Sequence, residues 1–292
     1  MTPIDRIVFG DNQFFGINHM SQDKAQAQAE RFADIDNIFA VYQNAFDAGI
    51  RAIMLNSNDR AGAICDRFRA RASDYPDIAW YPSIPYPHKY ANIVAEKGMV
   101  GALQNMLFAQ GTKSALGKLA QGAMATMSFD AVRFMKMLVD QEMETFKGLD
   151  VRVVFLQNIV VDLVLGFGVA EPFVEYCKHI RKKYGAMPGF ITQNMPFCRA
   201  KLAEWGIEDV VICSSINKIG YLMSPGREEY ERVLAENDPA KYQMMAMSTL
   251  ASGAVPAPEA YDYVNGLNIQ SVVFGASSRG NIEQTVDLIN RR

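Results

Sequence analysis

The chain has 292 residues, of which 49% are hydrophobic, 21% charged and 11% aromatic. This composition supports a large buried core and excludes disordered, collagen-like, coiled-coil and disulfide-scaffold classes. With 29 basic and 32 acidic residues the net charge is −3, which favours a small-molecule ligand over nucleic acid. The length fits either two domains of about 150 residues or one (β/α)8 barrel of about 250 residues with an insertion.

The cysteines and the apolar segments predict where the protein resides. The four cysteines form no CxxC pair, so we expect free thiols in a reducing cytoplasm. The N-terminal segment lacks the basic and long apolar regions of a signal peptide. Polar and charged residues interrupt the most apolar stretch, 151–174, so no membrane span is predicted. The sequence therefore predicts a soluble, cytoplasmic protein.

Eight short apolar runs alternate with longer segments, and each run is typical of a parallel strand buried on both faces. The predicted strands are 6–10, 50–55, 78–83, 151–156, 188–192, 209–214, 244–248 and 271–275. Amphipathic spacing predicts helices over 35–48, 172–185, 227–237, 258–264 and 280–292. Eight alternating units favour an α/β fold of the (β/α)8 TIM-barrel type over a doubly wound sheet, with residues 1–292 forming a single domain.

The connection between the third and fourth predicted strands is too long for one barrel helix. Residues 129–147 suffice for that helix, which leaves 89–128 as a helical insertion rich in Met and Ala. It lies at the face where barrel active sites are found. The insertion could be a lid over the site, a homodimer interface, or additional core with no role in the chemistry.

Polar side chains follow most of the predicted strands. In a (β/α)8 barrel these positions carry the functional groups, and six of the eight strand ends offer an amide or a charge. Capping of the strand ends is the alternative explanation. We predict a polar pocket for a small molecule that bears hydroxyl or amide groups. The candidate substrate-binding residues are Asn12, Asn56, Arg60, His88, Gln157, Asn158, Gln193, Asn194 and Asn217.

The segment SVVFGASSRGNIE at 271–283 predicts a strand that ends at Gly275 and a helix that begins near Gly280 or Asn281. A helix N-terminus with free N–H groups suits an anion, and the loops after strands 7 and 8 are the recurring phosphate site of barrels. An ordinary helix cap with an exposed arginine is the alternative. The predicted cofactor-binding residues are Gly275, Ala276, Ser277, Ser278, Arg279 and Asn281.

Four segments of the chain resemble a known family. AMSTLASGAVPAPEAYDYV at 246–264 and IQSVVFGASSRGNIEQTVDLI at 269–289 resemble the last two βα units of aldo-keto reductases. IVFGDNQFFG at 7–16 and NAFDAGIRAIMLNSNDR at 44–60 look like the first two units. The resemblance implies the barrel fold, oxidoreductase activity, and an NADP cofactor whose adenosine phosphate is held by the loop after the last strand.

The same resemblance implies that the family's catalytic Asp, Tyr, Lys and His are replaced. The place of the Asp falls at Met54 or Leu55, and that of the Tyr at Asn58, Asp59 or Arg60. The place of the Lys falls at Pro82 or Ser83, and that of the His at Gln157 or Asn158. Without the tyrosine as acid and the lysine that lowers its pKa, ordinary carbonyl reduction has no proton donor. We therefore expect a divergent member of the family with a substituted proton donor.

Four side chains at strand ends are candidates for the missing chemistry: Asp11, His19, Asp59 and Lys218. A desolvated Lys218 could form a Schiff base with a carbonyl substrate while Asp11 or Asp59 moves protons; a surface lysine paired with Glu208 or Asp209 is the alternative. His19 and His88 could act as general acid–base groups or be ordinary loop residues. No HxH or HExxH spacing is present, so no metal site is predicted.

Three functional hypotheses follow. The leading one is an NADP-dependent oxidoreductase with a non-standard proton donor. The second is a lyase or isomerase that acts on a phosphorylated small molecule, through Lys218 or by acid–base chemistry. The third, from a different class, is a non-catalytic barrel that binds a ligand, a partner or a second copy of itself through the insertion. None of the three involves nucleic acid or a membrane.

Overall fold

The computed structural model describes residues 2–15, 30–85 and 124–291, which form a closed barrel of eight parallel strands. The strands are β1 Ile7–Phe9, β2 Ala52–Asn56, β3 Ala79–Ile84, β4 Val153–Leu156, β5 Met187–Thr192, β6 Val210–Ser215, β7 Tyr242–Met247 and β8 Ser271–Phe274. Each strand pairs with its neighbours in sequence, and the β1–β8 pair, with Val8 opposite Val273, closes the ring. A short segment, Asp150–Val151, extends the pairing of β3. The predicted (β/α)8 TIM barrel is confirmed.

Helices connect the strands on the outside of the barrel. They are α1 Ile35–Asp47, α2 Ala61–Ala70, α3 Met124–Met143, α4 Asn158–Phe167, α5 Glu171–Tyr184, α6 Met195–Glu204, α7 Arg227–Ala235, α8 Ala257–Asn265 and α9 Arg279–Ile289. Helix α3 lies within the long connection, with a 3-10 turn at Glu144–Phe146 after it. Of the predicted insertion 89–128, residues 89–123 lie outside the described part, so its roles as lid or dimer interface stay predictions.

Helices α2, α4 and α6 were not predicted from the sequence, and the reason in each case is physical. Helix α4 (NIVVDLVLGF) is apolar almost all round, so it lacks the two-sided pattern of a surface helix. Helix α6 (MPFCRAKLAE) spreads its apolar residues around the axis, and α2 is short and rich in arginine. Amphipathic spacing alone therefore does not indicate a helix at these three segments.

The barrel interior is filled by alternate residues of the strands, as the two-residue period of a strand requires. This inner set is Val8, Ala52, Met54, Ala79, Tyr81, Val153, Phe155, Ile191, Val211, Cys213, Met245 and Val273. A larger cluster packs the outer faces of the strands against the helices. The inner set ends one level below the carboxyl ends of the strands, so the next inward positions form the mouth of the barrel.

One glycine makes room for a large side chain inside the barrel. Gly189 of β5 pairs with Phe155 of β4, and a Cβ at position 189 would overlap Cδ1 of Phe155 and lie 2.9 Å from Cγ1 of Val153. Both neighbours are fully buried. The Phe155 ring therefore occupies the space that a side chain on β5 would need.

The four cysteines lie at Cys65, Cys177, Cys198 and Cys213, and all are buried and free. Burial raises the pKa of every one of these thiols above its usual value. Thiols in such surroundings stay protonated at neutral pH and react slowly. Among the helices of the described ranges, none combines the length and hydropathy needed to cross a membrane.

We expect Gly189→Ala to lower the free energy of unfolding by about 2 kcal/mol, because the methyl group overpacks against Phe155. The matched control is Gly62→Ala in α2, where an added Cβ meets no atom within 4 Å. That control should leave stability unchanged or raise it by up to about 1 kcal/mol, because alanine favours the helix. Urea unfolding measures both variants, and an equal effect of the two would contradict the packing of Phe155.

Candidate functional site

The mouth of the barrel is polar on the side formed by β2, β3 and β4. Asn56, Ser83 and Gln157 each follow an inward-facing residue by two positions, so they occupy the next inward level. The register brings them together, because Asn56 pairs with Ser83 and Ser83 pairs with Phe155, two residues before Gln157. Nε2 of Gln157 donates hydrogen bonds to Oδ1 of Asn56 at 2.6 Å and to Oγ of Ser83 at 2.7 Å.

Asp11, two residues after β1, joins this group through hydrogen bonds with Asn56. Its Oδ1 accepts a hydrogen bond from Nδ2 of Asn56 at 2.6 Å, and its Oδ2 accepts one from the Asn56 backbone N–H at 2.8 Å. A longer contact of 3.5 Å joins Nδ2 of Asn58 to the same Oδ2. Only 2% of Asp11 is exposed. We call Asp11, Asn56, Ser83 and Gln157 the mouth network.

Burial dominates the protonation of Asp11. Loss of solvation raises the pKa of this carboxyl to about 6, although the hydrogen bonds from Asn56 act in the opposite direction. A carboxyl group with such a pKa exchanges its proton close to neutral pH, as a general acid or base must do. Asp11 is thus the candidate catalytic residue with the strongest physical support in the described residues.

Three buried polar side-chain atoms at or just after the strand ends have no hydrogen-bond partner within the described part of the chain. They are Oε1 of Gln13, Oγ of Ser57 and Oγ of Ser215, the last at the inward level of β6 above Cys213. Nε2 of Gln13 is engaged by the Gly10 carbonyl at 2.8 Å. Buried polar atoms normally find a partner, so these atoms are candidates for contact with a polar ligand.

The loop after β8 lies beside the mouth and leads into α9. Ser278 caps this helix by accepting a hydrogen bond from the Asn281 N–H at 3.4 Å, so α9 begins at Arg279, one residue earlier than predicted. Gly275 accommodates Gln13, since a Cβ at 275 would overlap Gln13 Oε1. Arg279 of this loop is exposed, and its Nε donates to Oε1 of Glu283 at 2.7 Å.

Lys218 does not have the environment that the Schiff-base hypothesis requires. Its side chain is 48% exposed, and Nζ lies 2.8 Å from Oε2 of Glu259 on α8. The ion pair is therefore on the surface, with Glu259 in place of the expected Glu208 or Asp209. The structure therefore does not present a desolvated lysine, because the side chain is exposed to solvent and paired with a carboxylate.

The residues after β2 are divided between the mouth and the surface. The Arg60 guanidinium donates to the backbone carbonyls of Phe32 and Ala33, which ties the start of α2 to the segment before α1. Asp59 is exposed, and so is Asn12 after β1. These three predicted site residues are not brought into the mouth network.

The amides after the later strands serve local structure. Asn194 caps α6 by accepting from the Phe197 N–H at 3.2 Å, and buried Asn217 closes a loop through two hydrogen bonds of 2.8 Å with the Tyr221 backbone. Asn158 is the first residue of α4, whereas Gln193 is exposed after β5. His19 and His88 lie outside the described residues. Among the described residues, no group of three His, Cys, Asp or Glu side chains is arranged to hold a metal.

Asp11, Asn56 and Gln157 were predicted as site residues from the sequence, whereas Ser83 and Gln13 were not. The signal for Ser83 was present: the alternation Ala79, Tyr81, Ser83 continues the inward row of β3. Gln13 follows the first predicted strand, but its contact with Gly275 joins the two ends of the chain and is not encoded in a local pattern. Only the closure of the barrel brings those residues together.

The raised pKa of Asp11 makes a prediction about stability. The pKa of Asp11 is about 6 in the folded chain and near 3.8 in the unfolded chain. At a pH between these two values the folded state therefore holds a proton that the unfolded state has released. Stability therefore falls as the pH rises through this window. Relative to that of Asp11→Asn, the free energy of unfolding of the wild type should fall by about 2 kcal/mol as the pH rises from about 4.5 to 7. Urea unfolding across that range measures it, and a pH-independent difference between the two proteins would contradict the assignment.

Comparisons with known proteins identify the fold. No protein-family model matches the sequence, and a search of curated proteins found no match. Among solved structures, a Pseudomonas aeruginosa protein assigned to the aldo-keto reductases is similar with a TM-score of 0.58 and 10% identity, over 98% of this chain and 90% of that one.

Two further solved structures are similar to this chain over most of its length. A protein assigned as 2,5-diketo-D-gluconic acid reductase B has a TM-score of 0.53 and 11% identity, over 97% of this chain and 82% of that one. A point mutant of Gox0644 in complex with NADPH has a TM-score of 0.50 and 10% identity, over 88% of this chain and 80% of that one. The closed parallel barrel and these similarities together show that the chain has the fold of the aldo-keto reductases.

Proposed function

We propose that the protein is an NADP-dependent oxidoreductase that reduces a carbonyl group of a small polar molecule, with Asp11 as the residue that holds the proton. The observation that carries this proposal is the buried Asp11 carboxyl at the mouth of the barrel, with its pKa raised to about 6. The fold shared with aldo-keto reductases supports the choice of reaction, and the NADPH complex of one similar structure supports the choice of cofactor.

The loop after β8 fits the phosphate end of such a cofactor. The first turn of α9 contains no acidic residue, and Ser277, Ser278, Arg279 and Asn281 offer hydroxyl, guanidinium and amide donors at or near the surface. Arg279 can exchange its exposed partner Glu283 for a phosphate at small cost, because surface ion pairs contribute little. NADPH, when bound, supplies the hydride.

The proton side of the reaction is assigned to the mouth network. Asn56 donates to both oxygens of Asp11, while its own Oδ1 is fixed by Gln157. A carbonyl oxygen that receives the proton from Asp11 takes the place of the Asn56 amide on Oδ1. Asn56 is partly exposed at the mouth, so it is the member of the network that a substrate meets first. Its amide and that of Gln157 orient the substrate.

The charges around the mouth favour a neutral substrate. The network offers amide and hydroxyl groups, and its one ionisable member is acidic. Arg60 and Lys218 are engaged by carbonyl and carboxylate oxygens, respectively. We therefore propose a neutral carbonyl compound that carries hydroxyl or amide groups. The surface position of Lys218 gives the hypothesis of a Schiff-base lyase no support. Measurements of cofactor binding and of turnover distinguish an enzyme from a non-catalytic barrel.

The cofactor assignment is tested by titrating NADPH and following the fluorescence of Trp80 and Trp205. We expect saturable binding in the micromolar range, and a loss of about 10-fold in affinity for Arg279→Ala, since one charged hydrogen bond to phosphate is removed. The matched control is Arg232→Ala, an exposed arginine of α7 that also pairs with glutamates. It should bind like the wild type. Binding no tighter than about millimolar would refute the nicotinamide assignment.

The role of Asp11 is tested by kcat for NADPH-dependent reduction of a panel of neutral hydroxyaldehydes and hydroxyketones. As the proton donor, Asp11 is active when protonated, so kcat should fall as the pH rises above about 6. Asp11→Asn should lower kcat by about 100-fold or more and remove this pH dependence. Asp59→Asn, which changes a nearby exposed carboxyl group, is the control and should keep the wild-type kcat and its pH dependence. Unchanged kcat in Asp11→Asn would exclude Asp11 as the donor.

A further inference from the structure

The side chains of the mouth network form a chain of hydrogen bonds that begins at the Asp11 carboxyl and ends at the Ser83 hydroxyl. Nδ2 of Asn56 donates to Oδ1 of Asp11 at 2.6 Å. Nε2 of Gln157 donates to Oδ1 of Asn56 at 2.6 Å and to Oγ of Ser83 at 2.7 Å. In this direction the chain ends in an N–H group on Asp11, which suits the carboxylate form.

The protonated form of Asp11 requires the opposite direction. Oδ2 already accepts from the Asn56 backbone N–H at 2.8 Å and from Nδ2 of Asn58 at 3.5 Å, so the proton is best placed on Oδ1. A protonated Oδ1 is a donor, and two donors do not form a hydrogen bond with each other. The Asn56 side-chain carbonyl is an acceptor for this O–H, and a separation of 2.6 Å suits an O–H···O hydrogen bond.

The rest of the chain can reverse without leaving its place. A half turn about the last side-chain bond of an amide exchanges its carbonyl oxygen with its NH2 group. Once Asn56 has turned, its N–H faces Gln157, and Oε1 of Gln157 accepts it after the same turn. A serine hydroxyl can accept or donate, so Ser83 then donates to Oε1 of Gln157. The network therefore has one complete set of hydrogen bonds for each protonation state of Asp11.

We propose that Asn56 and Gln157 turn their amides whenever Asp11 gains or loses its proton, so that Gln157 offers an N–H group to the carbonyl substrate and its carbonyl oxygen to the alcohol product. This role of Gln157 rests on the proposed function. Within the described part of the chain, Oε1 of Gln157 accepts no hydrogen bond while Nε2 is used inside the network. Reversal leaves Nε2 as the free group. A carbonyl oxygen only accepts hydrogen bonds, whereas an alcohol can also donate one.

Within the protein, the only covalent bond that breaks is the O–H bond of Asp11. When the carbonyl carbon has received a hydride, the proton on Oδ1 passes to the carbonyl oxygen and Asp11 becomes a carboxylate. As the alcohol leaves, the Asn56 amide returns to Oδ1 with its N–H side, and Gln157 and Ser83 follow. Uptake of a proton from water restores the reversed direction for the next substrate.

The titratable groups near Asp11 in the described residues do not drive this change. Tyr42 of α1 and Cys65 of α2 are buried, and burial raises the pKa of both, so they stay neutral around pH 6. Of the charged residues after β2, Asp59 is exposed and the Arg60 guanidinium is held by backbone carbonyls of the segment before α1. The other members of the mouth network carry no charge, so the change begins at the Asp11 carboxyl.

Ser83→Ala tests the proposal at the end of the network farthest from Asp11. Without the hydroxyl, the observed direction leaves one buried N–H of Gln157 unpaired, whereas the reversed direction leaves a carbonyl that still accepts from Asn56. An unpaired buried donor is the costlier defect, so the variant should favour the reversed direction and the protonated carboxyl. In spectra of protein labelled with ¹³C at the aspartate carboxyl carbons, we expect the titration midpoint of Asp11 to rise by about 0.5 pH unit.

The matched control is Ser214→Ala, which removes a buried serine hydroxyl of β6 that donates to the Thr192 carbonyl at 2.7 Å. It should leave the midpoint of Asp11 unchanged. Ser83 does not contact Asp11, so a network of fixed direction predicts an unchanged midpoint in Ser83→Ala as well. Circular dichroism confirms that both variants are folded.

The direction of the amides can also be followed in the wild type. Nuclear Overhauser effects between the Gln157 side-chain NH2 and the β protons of Ser83 should be present at about pH 8 and weaken several-fold at about pH 4.5, on either side of the Asp11 titration. Effects of equal strength at both pH values, or an unchanged midpoint in Ser83→Ala, would overturn the proposal. Neither measurement uses NADPH, so a failure of cofactor binding would refute the proposed function and leave these two results intact.

Discussion

The burial of one carboxyl group, that of Asp11, determines how the mouth of this barrel is built. A carboxylate removed from water needs hydrogen-bond donors, and Asn56 supplies two of them from β2. Its side chain is in turn fixed by Gln157 from the end of β4, which also holds Ser83 of β3. Three neighbouring strands thus contribute one residue each to the support of a group that follows β1.

The network compensates only part of the cost of burial. The pKa of Asp11 remains raised to about 6, so the charged form is disfavoured by about 3 kcal/mol relative to the same group in water. A fold selected for stability alone would place an uncharged residue there. Retention of a carboxyl group that changes its protonation near neutral pH is the reason we assign it to proton transfer. The same region contains the unsatisfied Oε1 of Gln13, which packs on the bare backbone of Gly275 beside the proposed cofactor loop.

Much of the fold could be predicted because each strand is apolar on both faces, and eight such segments in alternation with helices specify a barrel. Two of the helices that were not predicted lack the usual amphipathic pattern. Helix α4 has no polar face, and α6 distributes its apolar residues around the axis. In α4 the outer face is apolar although it is exposed, so the sequence lacks the two-sided pattern of a surface helix.

The site could be predicted in position but not in detail. Asp11, Asn56 and Gln157 were identified because they follow strands, whereas their hydrogen bonds depend on the register between β2, β3 and β4, which a local pattern does not encode. For the same reason Lys218 was a reasonable candidate until the structure placed it on the surface beside Glu259 of α8, far along the chain.

The most direct test of this account is the pKa of Asp11 itself. In protein labelled with ¹³C at the aspartate carboxyl carbons, the Asp11 signal is identified by its absence from Asp11→Asn and followed as a function of pH. The account predicts a titration midpoint of about 6. A midpoint at or below the usual value of 3.8 would show that the mouth network stabilises a permanent carboxylate, and Asp11 could not then hold the proton.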